Sequence, residues 1–550
     1  MKLFKNIKYA LGLLAITMLF SACEEYMEET IYSDVTSENF ITEDSADQLV
    51  VGIYTQVRAV YKNYGFKFFG TDIFTTKSDV TSFNSANDYF GLQATSSNSV
   101  WTNNYDVIAK ANTAINRFEN QISWSEGRLT EKAYGIAQAR ALRALAFFNL
   151  VQQFGGVDLS LEEPLSILEN YTRSTEEEKY ELIISELEAA IPDLEDNPDT
   201  GRFSKRAAQH VLAEVYLTRA YLSFGSTEDF STAAALAESA IGSYDIRSQT
   251  FAEVFDYDNQ VNDEVLFATQ WGAGADAANK NNDKHSLFMN NVHEYPGVNR
   301  TTTPYGFSGY GAMPTPFFYS LFSDNDTRDD ATLHRAIIAD GDVPTGWPEP
   351  IVAGDTIVYY PKETLGIVEL TERLERYWVY QPDQYLFGRP DDIPGVNWLY
   401  SLNPEEVNFP IFKKFEDEDF NETSEGARDT FVFRVAETHL IAAEAYLGAS
   451  NTTSALTHIN RVRERATGIA NEYAAITIDD ILNERALELA GESNRWAVLK
   501  RTGKLEERLN LYNPHNVDHG AFDPETHYLR PIPTNEITLS PDTMKQNPNY

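Results

Sequence analysis

The sequence predicts a mainly α protein: tetratricopeptide-like helix pairs forming an α-α superhelix scaffold, with a loop-rich second lobe. Three observations predict it. Apolar residues recur at helical spacing in several segments towards both ends of the chain. Those segments come in pairs with small residues on the packing side. Between about residues 244 and 430 the periodicity gives way to turn-forming and aromatic residues.

The chain opens with Lys2, Lys5 and Lys8, runs apolar from Tyr9 to Phe20, and changes at Ser21 and Ala22 before Cys23. This reads as a secretory signal peptide over residues 1–22, because its apolar run is shorter than the roughly 20 residues that span a bilayer. Cys23 is the only cysteine, so there is no disulfide framework. Its place at the end of an export signal makes it the expected lipidation site, and an acyl anchor holds a protein at a membrane without crossing it. The run Glu24, Glu25, Tyr26, Met27, Glu28, Glu29 then opens an acidic tether over residues 23–39.

A first helical part is expected over residues 40–243. Trp101, Tyr105, Ile108 and Ile115 fall on one face, and Ala137, Ala141, Ala144, Phe148 and Val151 repeat the pattern up to Gly155 and Gly156. Ser174 and Glu177 are spaced as a capping box for Tyr180, Ile183, Leu187 and Ile191, ahead of Pro192. Ser204 is positioned to cap a stripe of Ala208, Val211, Val215 and Leu222 ending at Gly225, and an alanine-rich helix follows from about Ser231 to Ile241.

The same grammar returns over residues 431–550: Arg434 to Leu447, then Ala455, Ile459, Val462 and Ala466, then Leu482, Ala486 and Leu489. Ala213–Leu217 and Ala443–Leu447 share the pattern Ala-Glu-x-Tyr-Leu. Residues 244–430 differ. Asn291 to Pro316 reads NVHEYPGVNRTTTPYGFSGYGAMPTP, which cannot be helix, and so long an irregular stretch marks a functional lobe.

Lys plus Arg number 44 against 83 Asp plus Glu, a net charge of -39, which disfavours nucleic acid and anionic lipid as partners. An aromatic content of 13% belongs to a globular chain with a large core. No nucleophile elbow, HExxH helix or phosphate loop is present. Asp324, Asp326, Asp329 and Asp330 lack the glycine and distal glutamate of a calcium loop and read as caps and solvated loop; Glu416 to Asp419 reads as a solvated turn. His515, Asp518, His519, Asp523 and His527 fit no closed zinc spacing, so neither metal nor cofactor is expected.

Several separated segments then resemble one family. They are the lipoprotein start; Trp101, Tyr105, Ile108, Ala111 and Asn112; Ala139 to Ala144 running to Phe154–Val157; and Gly201, Arg202, Ser204, Lys205, Ala207 and Ala208. Further on come Asp326-Thr327-Arg328; Arg434, Ala436 and Glu437; Glu484–Leu489; Asn494-Arg495-Trp496; Leu529–Pro533; and Gln546–Tyr550. In this order they resemble the SusD/RagB family of outer-membrane nutrient-binding lipoproteins of Bacteroidetes-type bacteria. The family usually carries glycine before its final tyrosine; Asn549 stands there, and asparagine tolerates positive φ.

The resemblance implies a helical scaffold, a loop-rich lobe with the ligand pocket, and a protein that holds oligo- or polysaccharide without catalysis. It also implies a partner, a SusC-like TonB-dependent β-barrel transporter on which the protein sits as a lid. Membrane contact is then through the lipid anchor only, with the body exposed at the cell surface. The acidity tilts the ligand towards a neutral glucan over alginate or pectin.

A sugar ring presents apolar C–H faces and a rim of hydroxyls, so its site needs aromatic platforms beside hydrogen-bonding side chains. Two stretches offer both: Asp79, Phe83, Asn84, Tyr89 and Phe90 through Trp101 and Asn104; and Tyr295 to Tyr310, with Trp271 upstream. Asp79, Trp101 and Asn104 match positions where the family places pocket residues. A core place on the helix stripe competes for Trp101, and a capping role for Asp79. Tyr305 and Tyr310 lie in a glycine-rich loop with no helical face to bury them, and Trp271 stands beside Gly272 and Gly274. The expected ligand-binding set is Asp79, Trp101, Asn104, Trp271, Tyr305 and Tyr310. Two other readings remain open: a secreted glycoside hydrolase, which needs two carboxylates about 5–9 Å apart, and a tetratricopeptide adaptor for protein tails, which needs no aromatic loop lobe.

Overall fold

The computed structural model describes residues 42–62, 65–76, 84–165, 171–272, 282–290, 292, 295, 297–298, 305, 312–342, 351–385, 409–418, 420 and 426–550, apart from the side chains of 517–519. The expected signal peptide, Cys23 and the acidic tether lie outside the described residues, as do Asp79 and Tyr310.

The longer helices form where the apolar spacing predicts them. α1 (Ala46–Lys62) buries Val50, Ile53, Val57 and Val60 on one stripe and packs on α2 (Asn98–Asn120). α3 (Leu129–Phe154) is buried on nearly every side from Ala137 onward, because α2 covers one flank and α4 (Glu176–Ala190) another. It stops where Gly155 takes φ 72° and returns its N–H to the Val151 carbonyl at 3.0 Å.

The α4 capping box sits one residue later than the sequence spacing suggests. Thr175 Oγ1 accepts from the Glu178 N–H while the Glu178 carboxylate accepts from the Thr175 N–H at 2.8 Å. Ser174 is diverted, its hydroxyl donating to the Val157 carbonyl at 2.7 Å. Ser204 does cap α5 (Lys205–Ala220), accepting from the Ala207 N–H at 3.0 Å. α6 (Thr227–Ile241) begins earlier than its alanine run, because Ser226 and Asp229 form a capping box of their own.

In the C-terminal part, α7 (Val435–Gly448), α8 (Thr452–Thr467), α9 (Ile478–Leu489) and α10 (Arg495–Arg501) follow in turn. α7 lies on α6 through Ala233, Ala234, Ala237, Ala442 and Ala445, whose small side chains let the backbones come close. The Ala-Glu-x-Tyr-Leu likeness has a physical meaning. Both glutamates reach one cation: Arg501 donates to Glu214 at 3.0 Å and to Glu444 at 3.0 and 2.8 Å.

The second core is aromatic. Phe74, Phe288, Phe318, Phe412 and Phe415 pack ring to ring, with Phe288 and Phe412 stacked at 4.7 Å. Among the described residues only short strands support it: a three-stranded sheet of Ala336–Ile338, Thr356–Tyr359 and Trp378–Val379, and two-stranded ladders. One ladder, β1 (Val265–Thr269) with antiparallel β2 (Thr430–Arg434), leads straight into α7. The core also draws on Phe66–Phe74 and on Ala486, Leu487 and Ala490, from outside the loop stretch. At Gly491, φ 76°, a Cβ would come within 2.5 Å of Phe415, so the chain after α9 can approach the rings only as glycine.

A buried ionic seam joins the two cores. Arg328 donates to Asp326, to Glu484 at 2.8 Å and to Glu488 at 3.1 Å, and these four side chains are fully buried. Arg434 binds Glu264, Glu488 and Glu492; Arg465 binds Glu264 and Glu488; Lys414 binds Glu492. The solvated reading of the acidic loops is therefore corrected in part. Asp324 and Asp330 are exposed, but Asp326 belongs to the seam and Asp329 is buried against Arg335 and Lys362. Asp417 is buried too, accepting the Arg428 N–H at 2.8 Å.

Candidate functional site

Between α1, α2, α3 and the start of α10 lies a small recess, whose enclosed space holds about one water molecule. Its wall carries five side-chain amides: Asn103 and Asn104 from α2, Asn149 and Gln153 from α3, and Asn494, the N-cap of α10. Helical spacing explains the grouping, since Asn149 and Gln153 stand one turn apart on a single face. Val60, Phe66 and Val100 give the same wall its apolar part.

The amides are held in place by other groups. Asn104 donates to the Val100 carbonyl at 2.7 Å and accepts from Asn149 at 3.2 Å, while Asn103 donates to the Ala59 carbonyl at 3.1 Å. Asn494 accepts from the Ala497 N–H at 3.2 Å. Gln153 differs. It is buried, and its side-chain carbonyl has no hydrogen-bond partner among the described residues. Such an orphan costs about 1–3 kcal/mol unless something else supplies a donor.

Lys67 completes the wall. Its ammonium lies 3.9 Å from the centre of the Tyr61 ring and forms no salt bridge among the described residues. Burial pulls its pKa down to about 7. A cation that is easily discharged, an unmet acceptor and several amides can exchange hydrogen bonds with a neutral, hydroxyl-rich ligand. No group of three or more His, Cys, Asp or Glu able to hold a metal ion occurs among the described residues.

The expected site residues separate. Asn104 is in the recess. Trp101, one turn earlier, is a core residue: it is 2% exposed, its ring packed against Tyr105 at 4.9 Å and Phe154 at 5.1 Å. Tyr305 also corrects the expectation of an open platform. It is buried in the aromatic core, edge-on to His334, with its hydroxyl accepting the Ile338 N–H at 3.0 Å.

Trp271 is half-buried under the Arg58 guanidinium at 5.6 Å, outside the wall of the recess. Its backbone N–H donates to Asp429 at 2.8 Å, yet its indole N–H is buried without a partner among the described residues. Burial raises the Asp429 carboxyl to about 6, against the pull of the Trp271 N–H and of Arg428. Sequence reasoning passed over Lys67, Asn149, Gln153 and Asn494. A signal existed for two of them, because amides in a helix buried on nearly every side need partners.

A family model described as "SusD family" matches residues 399–550, and one described as "Starch-binding associating with outer membrane" matches residues 25–217. Together they span more than half of the chain. The chain belongs to the SusD/RagB family. It is 26% identical over 409 residues to a SusD-like protein of Bacteroides ovatus, covering 72% of this chain and 64% of that protein. A SusD-like protein of Formosa agariphila is 24% identical over 563 residues, 96% of each chain.

Among solved structures, a laminarin binding SusD-like protein superposes with TM-score 0.68 at 23% identity, over 92% of this chain and 100% of that one. Surface glycan-binding protein A from Bacteroides thetaiotaomicron, in complex with laminarihexaose, gives 0.67 at 18%, again over 92% and 100%. At these identities the solved structures establish the fold, helical and tetratricopeptide-like.

Membership gives the motifs a structural sense. Asp326 and Arg328, Arg434, and Glu484 and Glu488 all meet in the seam, and Arg495 binds the buried Asp72. Asn549, where the family usually has glycine, adopts φ 65°, so the terminal turn keeps its left-handed residue.

Proposed function

We propose that the protein is a lipid-tethered glycan-capture protein of the outer membrane surface. It binds oligo- or polysaccharide without catalysis and delivers it to a SusC-like TonB-dependent transporter. The starch-binding family description and the hydrogen-bonding chemistry of the recess wall carry the glycan reading. Sugar hydroxyls both donate and accept, so they can satisfy the Gln153 carbonyl and take hydrogen bonds from Lys67 and the amides.

Binding without cleavage is favoured by the same wall. Its described lining includes no Asp, Glu or His, whereas glycoside hydrolysis commonly uses a pair of carboxylates across the bond. Relatives named for laminarin and laminarihexaose support a neutral glucan. So does a net charge of -39, which repels polyanions. Outer-membrane association follows the family description, with Cys23 as the acyl site and residues 24–39 as the leash. Among the described residues no helix is long and apolar enough to cross a membrane.

The test is electrophoresis of the purified protein through a native gel loaded with β-glucan, with a reducing-end assay on the same mixture. Retardation without new reducing ends is expected. Released ends would make it an enzyme, and unretarded migration across a panel of neutral polysaccharides would remove the glycan reading.

A further inference from the structure

On the other side of α2 is a second hollow, larger than the recess and open to solvent. It is bounded by α2, the chain just after α3, Tyr171 and the short helix Thr534–Leu539. Tyr105 and Tyr171, both half-buried, supply aromatic surface to it. The Tyr105 ring is backed by Trp101, itself wedged against Phe154, so the wall is rigid.

Around the tyrosines stand four carboxylates, Asp106, Asp158, Glu162 and Glu536, and none forms a salt bridge among the described residues. The partners they do have are neutral. Gln56 donates to Asp106 at 3.2 Å, the Ser160 N–H donates to Asp158 at 3.0 Å, and the Tyr171 hydroxyl donates to Glu536. Lys110 and Lys179 act on Asp106 and Asp158 only through space, the Lys179 ammonium being spent on the Asp158 backbone carbonyl at 2.8 Å.

An aromatic wall ringed by unpaired carboxylates suits a ligand with an apolar ring body and a positive charge. The carboxylates attract the cation, and the ring faces take both C–H groups and the cation. We propose that this hollow is a second binding site, separate from the amide recess, for saccharides bearing a free, protonated amine, that is, hexosamine units. The overall charge of -39 steers such a cation inward, where it would repel an acidic sugar. A lysine side chain of a partner protein shares the charge but brings no ring to lie against Tyr105 and Tyr171.

The experiment is calorimetric titration of the purified full chain with a glucosamine tetramer, with its fully N-acetylated counterpart and with a neutral β-glucan tetramer. The free amine is expected to bind at least about tenfold more tightly than the acetylated form, and to weaken as salt is raised. The double variant E162Q/E536Q, which keeps shape and removes charge, should lose about tenfold for the amine while keeping its thermal unfolding and its neutral-glucan binding. Tyr171→Leu provides an independent loss through the ring. Equal affinity for amine and acetylated forms, no amine binding by the wild type, or an unaffected double variant would overturn the proposal. So would tighter binding of an oligolysine peptide. Neutral-glucan binding at the amide recess is read separately, so either site can fail without the other.

Discussion

In the seam between the two cores, Arg328, Arg434, Arg465 and Lys414 each meet carboxylates and are sealed from water. In the recess, Lys67 meets an aromatic ring and the Gln153 side-chain carbonyl meets no partner among the described residues. Both regions are polar and enclosed, so burial does not distinguish structural from functional groups here. Charge pairing does. A network whose cations each find carboxylates fixes how the lobes sit on one another, whereas a wall that leaves a cation without a carboxylate and an acceptor unspent among the described residues is prepared for a visitor.

The sharpest way to break this contrast is to remove a seam cation. R328A takes a buried cation from Asp326, Glu484 and Glu488 and leaves them to Arg463, Arg434 and Arg465, and denaturant unfolding should show a loss of about 3–5 kcal/mol. A loss below about 1 kcal/mol would mean that the seam does not hold the lobes together.

Acid should act on the seam next. Burial pushes Glu488, Glu492, Asp326 and Asp72 up, but the basic groups beside them pull harder, so all four sit below their ordinary values. The folded chain then binds fewer protons than the unfolded one. Stability from these groups is fully present above the ordinary glutamate value of 4.5 and is lost as pH falls below it. Melting temperatures between pH 6 and 3 should fall steeply, and less steeply in E488Q.

The recess should respond in the opposite range. Lys67 has a folded pKa of about 7 against an ordinary 10.5, so between these values the unfolded chain holds the extra proton. Its destabilising effect is full below pH 7 and fades towards pH 10, so the stability advantage of K67M should shrink by an amount on the order of 1 kcal/mol over that range. A constant difference would place the ammonium in water. The smallest effect is expected from Q153L, which removes an orphaned carbonyl: thermal unfolding should be unchanged or raised, by up to about 1 kcal/mol. A large loss would mean that Gln153 has a structural partner.

The helices and most of their caps were legible because their signals are local: period, cap residue and stop fall within a few turns. The seam was not, because Asp326 and Arg328 find their partners more than 130 residues away, in Arg463 and Glu484. Read as loop, such acids look solvated. Tyr305 was misjudged for the same reason, since its cover comes from His334 and Ile338 on neighbouring strands. Asn104 came from the family resemblance, whereas its neighbours Asn149 and Gln153 were hidden in a stripe that periodicity reads as core. Three of the motifs that carry the resemblance, at Asp326–Arg328, Arg434 and Glu484–Leu489, supply seam residues. They identify the family through its architecture and leave the choice of sugar to the wall.

The most direct test is a calorimetric titration of a neutral β-glucan oligosaccharide into the wild type and into N104A/Q153L, each with its thermal unfolding. A drop of at least about tenfold in affinity with the unfolding temperature preserved is the predicted result. Undiminished affinity in a folded double variant would contradict the assignment of the recess as the glycan site.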